Sequence, residues 1–425
     1  MSGERLKLPA AKTLQRLAAA ADQMHSYETF DALRASLSSS HRGIEGLVRV
    51  GGADRDLAVK LLVGHLLGDI VRHAARLHEH LLEAPLLLPR GSAASVELDR
   101  RAVLSLLCGV FVGAVERISR GEYPRVTLSR WLQSDQPHVL AKLRCLLHYF
   151  DRAIGAPHGG TLRIERRVLD PIPTASFWAD HSAPLARLVV HERGLIEEAL
   201  GCTQADFANR FIGGGVLGGG CVQEEIRFSV STELLVSLLL CEAMDDHEAI
   251  CLYGSEQFSR TSGYGSSLRF EGDLQDPCAR AADGSPLTEV VAIDAIHFRG
   301  RAPARDQLAE AIMLRETNKA FAGFERTGSD TPIASGNWGC GVFGGNLQVK
   351  AIVQWLAASA AGRELRYYTF SDRRLGDLAG FTNAARQRCK TVGELWRAAL
   401  AAGATGVGDD VYQSVLACMP GGAYR

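Results

Sequence analysis

The sequence predicts an α/β protein in which a mixed sheet is flanked by helices and preceded by an all-helical segment. Three observations predict it. In the first third, apolar residues recur at three- and four-residue spacing. Beyond about residue 155, short apolar runs alternate with helical patterns, the signature of a mixed or parallel sheet covered by helices. The chain of 425 residues is long enough for two or three units of about 150 residues, each with its own core.

Composition narrows the classes. Lys plus Arg is 47 and Asp plus Glu is 48, a formal charge of -1. That balance excludes attachment to nucleic acid by bulk positive charge, though not a local basic groove. The 14 Pro and 44 Gly exclude a collagen-like or largely disordered chain. Ten Cys without one Cys-x-x-Cys pair argue against a disulfide scaffold and a local zinc site, and for reduced thiols in the cytosol or nucleus. The N-terminal residues carry no apolar signal region. The longest apolar run, Ala102 to Val115, falls short of the roughly 20 residues that span a bilayer. It is expected to be a buried helix of a protein with no membrane association.

The elements follow in order. Asp56 to Leu87 places Leu57, Leu61, Leu62, His65, Leu66, Ile70, Val71, Ala74, Leu77 and Leu81 on one helical face, with Pro85 and Pro89 closing it. Ala102 to Ile118 and Val139 to Ile154 are further helical stretches. The texture changes at Gly155-Ala-Pro-His-Gly-Gly160, which divides the chain into 1–155 and 156–425. Leu185–His191, Ala249–Tyr253, Glu289–Ile296 and Leu365–Phe370 are expected strands, and Glu233–Met244, Arg305–Phe324, Leu347–Ala361 and Val392–Ala402 expected helices.

Chemistry concentrates in one stretch, Gly213-Gly-Gly-Val-Leu-Gly-Gly-Gly-Cys-Val-Gln-Glu-Glu225. Six glycines in eight positions let the backbone approach a ligand closely, and successive N–H groups suit phosphate oxygens. No Gly-Lys-Ser/Thr follows, and the spacing does not fit a dinucleotide fingerprint. Adjacent Glu224 and Glu225 suggest acid–base work on a glycosidic bond. The usual glycosidase plan sets two carboxylates about 5 to 9.5 Å apart across the sugar, which neighbours on one loop cannot easily do. A division of labour fits better: one Glu holds ribose hydroxyls and the other moves the proton. The plainer alternative is a pair of solvated glutamates at a helix start.

With those residues in view, Phe207-Ala-Asn-Arg-Phe-Ile-Gly-Gly-Gly to Gln223-Glu-Glu-Ile-Arg-Phe228 resembles the signature loop of the poly(ADP-ribose) glycohydrolases. Further blocks agree in order: Gly254 to Phe270, Val290 to Phe298, Gly336 to Ser359 and Tyr367 to Asp372. The helical first third is similar in texture to the accessory domain of the longer, eukaryotic-type members. The resemblance implies a macrodomain-like catalytic core over 156–425, with ADP-ribose in a cleft at the strand ends. Glu225 would protonate the leaving 2′-oxygen and then activate water, its acidity tuned by burial and by Glu224. Glu224 and Asn209 would hold the ribose being cleaved. Gly213, Gly214, Gly215 and Gln223 would shape the loop against the substrate. Gly341, Val342 and Phe343 would wrap the diphosphate, Phe370 would stack on adenine, and Ile196 and Glu197 would line its pocket. Tyr264 would close over the substrate, whereas Thr261 stands where animal-type relatives carry a second tyrosine.

The resemblance thus implies hydrolysis of ribose–ribose bonds in poly(ADP-ribose), without cofactor or metal. It also implies poly-ADP-ribosylated proteins as partners, no direct nucleic-acid binding, and a nuclear or cytoplasmic location. Two other readings stay open: an ADP-ribose reader, for which Gln223-Glu224-Glu225 would have no use, and a hydrolase of mono-ADP-ribosylated protein. Trp338 and Cys340 are expected to be packing residues, Asp245-Asp246-His247 a solvated turn, and Cys221 a candidate reactive thiol.

Overall fold

Beyond the first helices, the alternation of short runs closes into one sheet. The computed structural model describes residues 3–116, 122–156, 159–298, 300, 302–406, 408 and 410–421. Their strands are β1 (Ala94–Asp99), β2 (Thr161–Val168), β3 (Leu188–His191), β4 (Thr203–Ala208), β5 (Glu248–Tyr253), β6 (Ser259–Ser262), β7 (Arg269–Asp273), β8 (Glu289–Asp294), β9 (Ile333–Gly336) and β10 (Leu365–Tyr368). Eight of them form a single sheet in the order β1-β2-β5-β8-β4-β9-β10-β3, and β6 and β7 make a separate hairpin. From β1 to β8 the pairing is antiparallel; from β8 through β4, β9, β10 and β3 it is parallel. The parallel half therefore sends five neighbouring strand ends to one edge, where ligands of open α/β sheets bind.

The sheet is the middle of three layers. Along β5, Ile250 and Leu252 join the apolar cluster of the N-terminal helices while Ala249 and Cys251 join the opposite one. Along β8, Val290 and Ala292 alternate in the same way with Val291 and Ile293. This is the two-residue period of a strand buried on both faces, and it explains the near-continuous apolar runs. On one side Leu106, Phe111, Leu146 and Phe150 pack toward the sheet; on the other lie Trp338, Trp355 and Trp396. The first third is also tied down electrostatically. Buried Arg100 reaches Glu233 at 2.7 Å and Glu256 at 3.1 Å.

Several expectations are corrected in detail. The first third is not helix throughout, because β1 pairs with β2 at the sheet edge. The helix expected over Asp56–Leu87 is broken: Arg55–Ala58 runs into a π-turn at Val59–Val63, His65 turns to φ 61°, and helix resumes over Leu66–Ala75 and Leu77–His80. The run from Ala102 is helical over Arg100–Val112 and stops at Gly113, φ 81°; Arg117, Ile118, Pro157 and His158 lie outside the described residues. Glu233–Met244 is only a 3₁₀ turn at Thr232–Val236 and one α turn at Ser237–Leu240, since Cys241 bridges to Leu88. The strand expected to reach Phe370 ends at Tyr368, because Phe370 and Ser371 adopt φ of 53° and 56°. Among the described residues, no helix is long and apolar enough to cross a membrane.

Candidate active site

The sequence-predicted residues collect on the parallel half's strand ends. Asn209 follows β4, Ile196 and Glu197 form a 3₁₀ turn after β3, Gly341–Phe343 lie beyond β9, and Phe370 stands two residues past β10. β4 and β9 pair only through Thr203↔Ile333 and Gln204↔Ala334. The rest of that β4 edge is engaged by a side chain. Gln223 accepts from the Phe207 N–H at 2.8 Å and donates to Ala205 O at 3.3 Å, as a neighbouring strand would. Its amide also lies 3.5 Å from Glu197 Oε1. The first residue of Gln-Glu-Glu thus docks the helix Gln223–Val230 onto the sheet.

The two glutamates that follow fold back over the glycine loop. Glu224 accepts from the N–H of Asn209 at 2.9 Å and of Gly213 at 2.6 Å. Glu225 accepts from Gly215 N–H at 2.9 Å and, as the third residue of its helix, from Val222 N–H at 2.8 Å, a helix-capping arrangement. Both are nearly buried, at 2% and 6% exposure. Gly214 shows why the loop has no side chains: at φ 51°, a Cβ would lie 2.4 Å from Glu224 Oε2 and 2.8 Å from Glu225 Oε1. Burial and the neighbouring Asp206 push the Glu224 carboxyl well above its ordinary range. Asn209 uses Oδ1 to accept from the Phe211 N–H at 3.0 Å, leaving its amide nitrogen for other partners.

At the other end of the strand edge, the second glycine loop is exposed. Val342 is 72% exposed, and a Cβ on Gly341 would meet nothing. Among the described residues the N–H groups of Gly341, Val342 and Phe343 have no hydrogen-bond partner. Phe343 stacks on His297 with centroids 5.0 Å apart. The Phe370 ring, 41% exposed, leans over Gly336, where a Cβ would come within 3.0 Å of it. Ile196 is buried against Tyr368 and Ala334. Tyr264, between β6 and β7, is 59% exposed and near enough to Gln223, Glu225 and Glu197 for their dipoles and charges to act on its phenol. Thr261 sits half-buried in the hairpin opposite Phe270.

Sequence reasoning missed four residues here. Asp206 is fully buried beside Glu224, and neither of its oxygens has a hydrogen-bond partner among the described residues. Arg227, one helical turn on, is buried close to Asp206 and Glu197. Arg227 stands inside the quoted motif and Asp206 immediately before it, so a carboxylate and a guanidinium in apolar company were the available signal. Trp131 and Lys142 come from the helical segment and carried no motif. Burial pushes the Cys221 thiol up, partly offset by Lys142, which argues against a reactive thiolate. Trp338 is buried with its indole N–H on Ile293 O at 2.8 Å, and burial pushes the Cys340 thiol up as well. Asp245 and Asp246 are exposed, the latter paired with Arg315 at 2.9 Å. Among the described residues no group of three His, Cys, Asp or Glu is placed to hold a metal ion.

The layered sheet and its glycine-loop edge define a macro domain carrying a helical domain, and known proteins agree. Residues 175–377 match the family described as "Poly (ADP-ribose) glycohydrolase (PARG), Macro domain fold". Residues 57–166 match its "helical domain". Together the two matches take in well over half of the chain, which belongs to the poly(ADP-ribose) glycohydrolase family. It is 34% identical over 327 residues to "Poly(ADP-ribose) glycohydrolase 1" of Arabidopsis thaliana, covering 60% of this chain and 59% of that one. It is 34% identical over 318 residues to "Poly(ADP-ribose) glycohydrolase 1" of Caenorhabditis elegans (72% and 40%). Against "Poly(ADP-ribose) glycohydrolase 2" of the same organism, identity is 36% over 265 residues (59% and 54%). The chain thus spans between 40% and 59% of the length of these relatives.

Proposed function

We propose that this chain hydrolyses ribose–ribose O-glycosidic bonds in poly(ADP-ribose) and releases ADP-ribose. The observation that carries the reading is the Glu225 carboxylate, 6% exposed and held inside the glycine loop beside Glu224. In a glycosidic cleavage the proton must reach the departing oxygen as an oxocarbenium-like carbon forms. Glu225 supplies that proton to the 2′-oxygen of the neighbouring ribose. It then takes one from the water that attacks the anomeric carbon, which restores the acid. Glu224 and Asn209 hold hydroxyls of the ribose being cleaved, on the triplet Gly213 to Gly215.

The remaining residues bind the rest of one ADP-ribose unit. The N–H groups of Gly341, Val342 and Phe343, without a partner among the described residues, form a donor cradle suited to a diphosphate. Phe370 offers a half-exposed flat face for adenine, beside the pocket of Ile196 and Glu197. Tyr264 closes over the substrate. Proton transfer and charge stabilisation here need only carboxylate, water and the substrate's own phosphates, so no metal enters the scheme. Poly-ADP-ribosylated proteins carry the polymer to the site. The ten free thiols fit a nuclear or cytoplasmic setting.

The test is Glu225→Gln, assayed on free polymer and on mono-ADP-ribosylated protein side by side. Loss of a general acid–base group costs about 10²- to 10⁴-fold in rate, while ADP-ribose affinity by calorimetry is expected to stay near the wild-type value. Near-normal polymer turnover in the variant would discard the mechanism. Release from mono-modified protein in preference to polymer, by the wild-type chain, would discard the substrate assignment.

A further inference from the structure

The helix Pro137–Gly155 belongs to the segment in which the sequence showed no chemistry, yet one of its side chains reaches the glycine loop. Lys142 Nζ lies 2.7 Å from Val216 O, 3.0 Å from Gly218 O and 2.7 Å from Gly220 O. All three donors of one ammonium are therefore used on carbonyls of a single loop. Trp131, from the preceding helix Ser129–Gln133, adds its indole N–H to Val216 O at 2.8 Å, and the ammonium lies 5.4 Å from the Trp131 ring centre.

The gripped residues lie between the two N–H groups that hold Glu225. Gly215 stands just before Val216, and Val222 just after Cys221. Free of this grip, the stretch keeps its own turn, with Gly218 and Gly220 N–H on Gly215 O, but glycine at three of its last five positions before Val222 leaves that turn weakly restrained. A misplacement of about 1 Å can cost a hundredfold in rate. Lys142 is fully buried, and that burial lowers the pKa of its ammonium to about 8, a shift that nearby Glu225 opposes and Arg130 favours. A buried cation satisfied only by backbone carbonyls is an expensive way to tether a loop that merely fills space.

We propose that Lys142 is a positioning residue, fixing the glycine loop from the helical segment so that Glu225 meets the scissile bond. The inference rests on the reading of Glu225 under Proposed function. It makes the helical segment part of the site and assigns Trp131 the same role at lower weight.

The experiment uses the full chain with Lys142→Met, Lys142→Arg and Trp131→Phe. Readouts are kcat and KM on polymer, calorimetric Kd for ADP-ribose, and amide hydrogen exchange across residues 213–222 and 339–345. For Lys142→Met, kcat is expected to fall about 100-fold, with ADP-ribose affinity near wild type. Exchange should rise in the first loop and not in the second, which a general loss of packing would not produce. Lys142→Arg, which keeps charge and donors, should regain part of kcat, and Trp131→Phe should lose less than Lys142→Met. Wild-type kcat and loop exchange in Lys142→Met overturn the proposal, as does an exchange increase spread over the whole chain. Should Lys142→Met fail to fold, Trp131→Phe decides by the same two readouts. If the wild-type chain leaves polymer intact, the functional reading fails. Loop exchange in Lys142→Met then still reports whether the grip exists.

Discussion

Two glycine-rich loops border the same sheet edge, and they are held differently. The first, Gly213 to Gly220, has its own backbone turns, with Gly218 and Gly220 N–H on Gly215 O at 2.9 and 3.1 Å, and is held besides by side chains from elsewhere. Glu224 and Glu225 take N–H groups at Gly213 and Gly215, while Lys142 and Trp131 take carbonyls at Val216, Gly218 and Gly220. The second, Gly339 to Gly345, is held mainly by backbone: Gly345 N–H on Gly339 O at 2.9 Å, Gly344 N–H on Gly341 O at 3.2 Å, and Phe298 N–H on Phe343 O at 2.9 Å, with one longer side-chain contact from Gln307 Nε2 to Gly344 O at 3.5 Å. That leaves the three N–H groups from Gly341 to Phe343 without a partner among the described residues. Glycine serves two ends here. In the first loop it makes room for carboxylates whose positions must not drift; in the second it bares donors for an anion that arrives from solution.

Matched glycine substitutions break this contrast most directly. Gly214→Ala puts a methyl 2.4 Å from Glu224 Oε2 at φ 51°. It also adds roughly 1–2 kcal/mol of left-handed backbone strain. Polymer turnover should fall at least about 100-fold as Glu224 and Glu225 are pushed aside. Gly341→Ala meets no atom within 4 Å, so turnover at saturating polymer should hold while KM rises severalfold. Steady-state kinetics of the pair checks both, and equal damage from the two would erase the distinction. A smaller effect sharpens it from the second side. Base–aromatic stacking is worth about 1–3 kcal/mol, so Phe370→Ala should weaken ADP-ribose at least about fivefold by calorimetry, with kcat retained.

The contrast also shows what the sequence could and could not disclose. Both loops were visible as glycine clusters, and Glu224 and Glu225 stood out against them, because local composition carries such signals. β5 and β8 were legible as buried runs of Val, Ile and Leu. β2 was not, because the inward face that Leu162 and Ile164 begin is continued by Arg166, a charge that is buried by pairing with Glu248 and hides the two-residue period. β4 hides Thr203, Gln204 and Asp206 inside the protein, and β9 is Ile-Ala-Ser-Gly. Their strand character comes from their neighbours in the sheet, which propensity does not encode. Lys142 was illegible for the same reason. On its helix it is one cation among apolar residues, and its three partners lie more than 70 positions away.

The smallest effect concerns the buried carboxyls beneath the first loop. Burial pushes both Asp206 and Glu224 well above their ordinary values; Asp206 adds to the rise at Glu224, while at Asp206 the Arg227 guanidinium works against burial. An acid whose folded pKa is raised binds its proton more tightly in the native chain than in the unfolded one. Its contribution to stability is complete below the unfolded value of about 4, and is lost as the pH climbs through the folded value. Asp206→Asn removes one of the two titrations without changing side-chain size. Denaturant unfolding of both proteins at pH 5 and pH 9 should show the variant gaining stability on the wild type as the pH rises. The second loop supplies the control, since Gly341→Ala adds no titrating group and should leave the pH dependence of unfolding as it is in the wild type. A gap between wild type and Asp206→Asn that stays constant across that range would mean that Asp206 keeps its charge in the fold, paired with Arg227, and that the carboxyls under the first loop do not share the burden.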